Sequence, residues 1–308
     1  MSAAWVAGTV RARALAERCA GTAGARELAA GTGLDEALRQ LAVTPYGKHA
    51  PPAAGLPEAQ RAVSATLLWH LRVLAGWLPR GGARLLVPLA CGFEVANVAA
   101  RLAADGRGPD PAEPYRLGAL ETAWRRLERA ATGADLRAVL AASAWGDPGG
   151  DSVGAVLTGM RMAAARRTAL TVPQARGWAV GRAALLTARE LFVHERPLTE
   201  PVRRDAARLL GTRAADAASY PRFRDLLPAP ARRLLADAGE PGALWRAEVR
   251  WWRTLRDDGA AMLRDVRYGP RAVVGAVAVL SVDAWRVRAS LESAARGGRV
   301  GEAFDALA

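Results

Sequence analysis

The side chains able to do chemistry in this chain are few, and they do not come in sets. His49, His70 and His194 are its three histidines. A zinc site takes four His, Cys or carboxylate ligands at close spacing, and none of the three has such neighbours. His70 stands beside Trp69 and near Trp77 in an apolar stretch and reads as a core histidine. Cys19 and Cys91 share no spacing motif, so they are expected to be free, reduced and buried, as in a cytosolic protein. Neither a Gly-x4-Gly-Lys-Ser/Thr phosphate loop nor a Gly-x-Ser-x-Gly elbow occurs. Gly31-Thr32-Gly33 lacks a flanking strand and reads as a loop. Asp257 and Asp258 are sequence neighbours that would point apart on a helix, so they read as a solvated turn. Trp245, Trp251 and Trp252 could stack bases beside arginines. At helical spacing their expected role is core packing. No catalytic residue, metal ligand or cofactor is expected, and the chain does not read as an enzyme.

Two acids stand out by their surroundings. Glu94 lies in Gly92-Phe93-Glu94-Val95-Ala96-Asn97-Val98, and Asp283 in Ser281-Val282-Asp283-Ala284-Trp285-Arg286-Val287. The segments match at a constant offset, which also pairs Asn97 with Arg286. An acid inside an apolar helix is costly unless it is paired. Glu94, Asn97, Asp283 and Arg286 are therefore expected to make polar contacts inside a lobe or to face a partner.

A second internal pattern accompanies them. Three times a leucine is followed, five residues on, by an aromatic and a glycine: Leu41…Tyr46-Gly47, Leu140…Trp145-Gly146 and Leu263…Tyr268-Gly269. The first two copies also carry a hydroxyl two residues before the aromatic, Thr44 and Ser143. Glu121-Thr122-Ala123-Trp124 precedes the second copy and Glu248-Val249-Arg250-Trp251 the third. A degenerate threefold repeat is expected. In each copy the leucine would pack inward and the aromatic would close the last helical turn. The glycine would supply a left-handed position after the helix.

The elements that must carry these residues are helices. Leu34, Ala37, Leu38 and Leu41 fall on one helical face, as do Leu117, Leu120, Trp124 and Leu127, then Leu136, Val139, Leu140 and Ser143, and Trp245, Val249, Trp252 and Leu255. Strand alternation is rare. The expected fold is all-α, in three helical lobes over residues 1–110, 111–200 and 201–308, with breaks at Gly106–Pro114 and Arg196–Pro201. The apolar runs Ala272–Val282 and Leu85–Phe93 are shorter than the ~18–20 residues of a membrane helix and read as buried core helices. The opening Met1-Ser2-Ala3-Ala4-Trp5 lacks a basic stretch followed by an apolar run, so no secretory leader is expected.

Net charge is +13, and Lys48 is the one lysine among 43 basic residues. That imbalance is typical of a GC-rich genome, such as an actinobacterial one. The arginines occur at most as pairs (Arg125-Arg126, Arg166-Arg167, Arg203-Arg204, Arg232-Arg233), and this spread reads as a solvated surface more than as an anion-binding run.

Val10-Arg11-Ala12-Arg13, the segment Leu34–Gly47 with its Thr44-Pro45-Tyr46-Gly47 ending, and Glu94-Val95-Ala96-Asn97 together resemble a known family. It is the subunit of V-type and A-type ATPases called d in eukaryotes and C in archaea and bacteria. The similarity covers residues 1 to about 150 and, more weakly, 244–298. It departs at Trp5, where the family tends to have tyrosine, and at Asp283-x-x-Arg286. The resemblance implies an all-α body of three similar lobes forming a funnel. It implies a non-catalytic role, seating the central shaft on the membrane rotor ring and coupling ATP hydrolysis to ion transport, here of protons. It places the protein in the cytoplasm at the inner face of the cell membrane, in contact with central-stalk subunits and the proteolipid ring. Membrane contact would then be indirect, with no small-molecule substrate and no nucleic acid. The alternative reading of the charge is a basic helical nucleic-acid-binding or scaffold protein.

Overall fold

The computed structural model describes residues 2–51, 54–104 and 113–297, and it is all-α. In chain order the helices are α1 (Ala3–Ala16), α2 (Gly21–Ala29), α3 (Leu34–Ala42), α4 (Leu56–Trp77) and α5 (Arg80–Ala104). They continue with α6 (Trp124–Leu127), α7 (Gly133–Ala141), α8 (Val153–Thr171), α9 (Arg176–Phe192) and α10 (Glu200–Leu210). The last five are α11 (Thr212–Ala215), α12 (Tyr220–Leu226), α13 (Ala229–Leu234), α14 (Leu244–Leu263) and α15 (Pro270–Ala295). No strand occurs among the described residues.

Local chemistry sets many of these boundaries. Thr132 and Asp135 form a reciprocal capping box on α7. The Ser152 and Ser219 hydroxyls cap α8 and α12. Proline opens the first turn of α4, α10, α12, α13 and α15, where a missing N–H costs nothing. The expected break at Arg196–Pro201 covers the end of the α9–α10 connection and the first two residues of α10. Most of the other expected break, Gly106–Pro114, lies outside the described residues.

The chain's contacts group it into two compact units, Met1–Ala83 with Trp252–Ala308, and Arg84–Trp251. In this grouping both ends of the chain belong to one unit.

In the first unit α15 is the central helix, packed by α1, α2, α3 and α4. Leu28, Leu38, Leu41, Tyr46 and Val63 close on Val287 and Leu291. The stripe expected at Leu34, Ala37, Leu38 and Leu41 is the buried face of α3, with Leu34 at its partly buried margin. In the second unit α9 is central, packed by α8, α10, α12 and α13. Its core holds Leu185, Leu210, Phe223 and Leu235.

The run Leu117–Leu127 departs from its helical spacing. A short 3-10 turn at Gly118–Leu120 and the four-residue α6 replace a continuous helix. The reason is tertiary and is given below. Helix α5 departs differently: Arg80–Ala103 is long and apolar enough to span a membrane by length and composition, with mean hydropathy 1.5. Its apolar run extends past Leu85–Phe93 because Ala, Gly and Val continue around Glu94.

In the first unit α14 and α15 meet through glycines. A Cβ on Gly275 would lie 2.7 Å from the Gly259 carbonyl oxygen and 2.7 Å from the Met262 Cβ. Real Cβ atoms do not come that close, so the helices could remain there only by moving apart. Gly275→Ala is expected to lower stability by about 1–3 kcal/mol. Thermal unfolding followed by circular dichroism checks it; an unchanged melting temperature would show that the crossing is loose.

Candidate functional site

Glu94 in the second unit and Asp283 in the first are buried on long helices, and each gathers a matching set of three donors. In the second unit Glu94, 1% exposed on α5, accepts the backbone N–H of Thr122 at 2.6 Å and of Ala123 at 2.9 Å. It also accepts the indole Nε1–H of Trp145 at 2.8 Å. In the first unit Asp283, 2% exposed on α15, accepts the backbone N–H of Ala20 at 3.0 Å and of Gly21 at 2.8 Å. The Tyr46 hydroxyl completes the set at 2.7 Å. Two adjacent backbone donors and one aromatic donor thus converge on each acid.

The segments delivering these donors match element by element. In the second unit Thr122-Ala123 leads into α6, α7, Ser143 and Trp145. In the first, Ala20-Gly21 leads into α2, α3, Thr44 and Tyr46. The hydroxyls act alike. Ser143 Oγ donates to the Leu140 carbonyl at 2.8 Å and accepts the Trp145 N–H at 3.1 Å. Thr44 Oγ1 donates to the Leu41 carbonyl at 2.7 Å and accepts the Tyr46 N–H at 3.2 Å. The hydroxyl folds the chain back so that the aromatic reaches the acid. The pairings also balance in reach: the longer Glu94 meets an indole N–H, and the shorter Asp283 meets the phenol, whose hydroxyl stands further from its backbone.

Glu94 also explains the interrupted run at Leu117–Leu127. The N–H groups of Thr122 and Ala123 go to its carboxylate, so they cannot feed an i→i−4 ladder. Ala20 and Gly21 stand at the start of α2, and Gly21 adopts φ 68°, a left-handed conformation.

The third expected copy of the repeat is built differently. Val266 stands where Thr44 and Ser143 stand, so no hydroxyl folds the chain back. Tyr268 is 40% exposed, with the Arg13 guanidinium 5.8 Å from its ring centre. Gly269 caps the start of α15 in extended backbone and donates its N–H to Thr9 Oγ1 at 3.0 Å. Glu248, expected to match Glu121, lies within α14 and pairs with Arg182 and Arg189. The three glycines therefore serve three purposes. Gly146 is left-handed at φ 81°. Gly47 is required by contact, since a Cβ there would lie 2.4 Å from the Ala42 carbonyl oxygen. Gly269 is neither, so the shared left-handed role expected for the three belongs to Gly146 alone.

The positions after the acids diverge. Asn97 forms a reciprocal pair with the backbone of Tyr115, donating to its carbonyl at 3.0 Å and accepting its N–H at 2.7 Å. Arg286 is buried at the equivalent place, its pKa pushed down by burial and then Arg256, and held up by Asp283. A thiol lies by each acid. Cys91 is buried, as expected, and its pKa is pushed up to about 12, mainly by burial. Its Sγ accepts from Arg167 at 3.4 Å, and the same guanidinium donates to Thr122 Oγ1 and stacks on Trp145. Cys19 is only partly buried, which differs from the expectation; burial and then Asp283 push its thiol well up. Neither cysteine is a ready thiolate nucleophile.

Among the described residues no three His, Cys, Asp or Glu come together to hold a metal. Beside Trp145 an open cleft of ≈ 360 Å³ is lined by Asp147, Arg166, Arg204, Asp205 and Arg208 among others. Asp205 pairs with Arg166 and Arg208, and Asp147 with Arg137. Compared with known proteins, the chain matches no protein family and no curated sequence.

Sequence reasoning located both acids and both aromatics but not the strap residues Ala20, Gly21, Thr122 and Ala123. They contribute backbone N–H groups, which carry no residue-type signature. Arg167 was visible only as half of an arginine pair.

Truncation of either acid orphans three donors, among them a buried aromatic one, Trp145 or Tyr46. Glu94→Ala and Asp283→Ala are each expected to cost roughly 3 kcal/mol or more, and Trp145→Phe and Tyr46→Phe about 1 kcal/mol each. Denaturant melts check the values, and a double-mutant cycle of Glu94→Ala with Trp145→Phe should be strongly non-additive. Additive losses would mean that the two side chains act separately.

His70 is buried on α4, and its Nδ1 has no hydrogen-bond partner. Burial, then Arg18, Arg11 and His49, lower its pKa from 6.5 to about 4, against a smaller opposing pull from Asp283. The native state therefore holds a neutral imidazole where the unfolded chain takes up a proton. Its contribution is present above pH 6.5 and is lost as pH falls toward 4. His70→Leu should flatten that part of the stability profile, measured by denaturation across a pH series. An unaltered slope would assign the acid sensitivity to other groups.

Proposed function

We propose that this chain is a non-catalytic coupling subunit of a V/A-type rotary ATPase. It would seat the central shaft on the membrane rotor ring, at the cytoplasmic face of the cell membrane, and pass torque to proton transport. The observation that carries the reading is the use made of the two buried acids. Each is saturated by donors that fix a chain crossing against a long helix, so its polar capacity goes into stiffness rather than turnover. A body that passes torque needs such junctions, because a joint that slips dissipates the motion.

Three further points support the reading. The junctions involve the residues on which the family resemblance rests: Thr44, Tyr46 and Gly47 in one unit, Glu94 in the other. The second junction repeats the first with different side chains, as expected of duplicated lobes. The arginine-rich surface suits acidic faces of shaft and ring, which guanidinium groups can grip bidentately.

The full-length protein, affinity-tagged in its native host, should co-purify with central-stalk and proteolipid subunits, and its deletion should abolish ATP-driven acidification of inverted membrane vesicles. Recovery without any rotary-ATPase subunit, or unaltered acidification after deletion, would overturn the reading.

A further inference from the structure

The place where the third repeat copy departs from the others forms a distinct surface on the first unit. The loop between α14 and α15 projects Val266, 85% exposed, and Tyr268 beside it. On α1, Val6, Val10 and Arg13 share one face at i, i+4 and i+7 spacing. Val10 is 54% exposed. Arg13 joins the two elements: its guanidinium lies over Tyr268 and donates to the Asp265 carbonyl. Thr9, bonded to the Gly269 N–H, fixes the loop to the helix one turn away.

Around these apolar groups stand arginines. Arg264, Arg267 and Arg271 are exposed. Asp265, the acid within the loop, is occupied by Arg271 at 3.3 Å and by the Arg267 backbone N–H at 3.1 Å. Glu17, at the far end of the α1 stripe, marks the edge of the patch. Exposed valines, an exposed tyrosine and a surplus of arginine form a combination suited to one environment. A bilayer interface takes valine and tyrosine into its boundary layer while its anionic headgroups meet the guanidinium groups. A nucleic acid would use the arginines on its phosphates but offers no apolar layer to take up three exposed valines.

We propose that this patch seats directly on an anionic lipid surface, with Val266 and Tyr268 at the headgroup boundary and Arg264 and Arg267 on the phosphates. This goes beyond contact with a membrane through a protein ring. It stands or falls separately, because lipid vesicles contain no ring.

The test is flotation of the purified full-length protein with vesicles of phosphatidylcholine alone or mixed with phosphatidylserine. Binding is expected only to the mixed vesicles, and it should fall as salt rises. Val266→Glu should weaken it about tenfold, and the pair Arg264→Glu/Arg267→Glu by about tenfold or more. Arg232→Glu/Arg233→Glu, the same charge change on α13 of the other unit, should leave it nearly unchanged. All these side chains are exposed, so unaltered circular dichroism is expected throughout. No flotation, equal flotation with neutral vesicles, an equal loss in the α13 pair, or indifference to Val266→Glu would each overturn the proposal. Binding to an oligonucleotide that survives Val266→Glu but not the loop arginine changes, without flotation, would assign the surface to nucleic acid instead.

Discussion

A carboxylate inside an apolar helix cannot be left alone, and much of this protein's local architecture follows from that requirement. Removing such a group from water costs several kcal/mol unless donors replace the lost hydration. Glu94 and Asp283 each recruit three donors, two of them backbone N–H groups at the start of a helix, which have no acceptor within it. The acid therefore helps to fix where the next helix begins. It also decides how the next segment crosses the long helix, because adjacent N–H groups can converge on one carboxylate only when the chain turns there.

The same device operates with opposite chain order in the two units. In the second unit the acid comes first, at 94, and its donors follow at 122, 123 and 145. In the first unit the donors come first, at 20, 21 and 46, and the acid arrives last, at 283. A hydrogen bond is indifferent to which partner was synthesised earlier, so the two arrangements make equivalent junctions. The reversed order in the first unit ties the start of the chain to its final helix. Closing a loop of that length costs more chain entropy than the shorter closure in the second unit.

The details around each acid show substitution within a conserved geometry of contacts rather than copied side chains. Glu with Trp, and Asp with Tyr, solve one spacing in two ways. Ser and Thr do the same local work. Asn97 and Arg286 do not: one braces a passing backbone, the other is a buried cation beside its acid. The third copy of the aromatic-glycine pattern lacks both hydroxyl and acid, and its tyrosine lies in the surface instead. A shared leucine, aromatic and glycine were enough to suggest a repeat but not to build one.

The all-α character, the buried face of α3 and the helix breaks near prolines were legible in the sequence, because periodicity and capping are local properties. The two acids were also legible, since a charge in an apolar run demands an explanation wherever it occurs. The tertiary structure alone decided what satisfied them. The decisive donors are backbone N–H groups of Ala20, Gly21, Thr122 and Ala123, and every residue except proline offers an identical N–H, so nothing in their side chains announces it. The same reason explains why Leu117–Leu127 reads as one helix yet is broken: its spacing is helical, but a carboxylate more than twenty residues away takes the donors that the helix would need. The grouping into two units likewise rests on contacts between the chain's opposite ends, which no local pattern encodes.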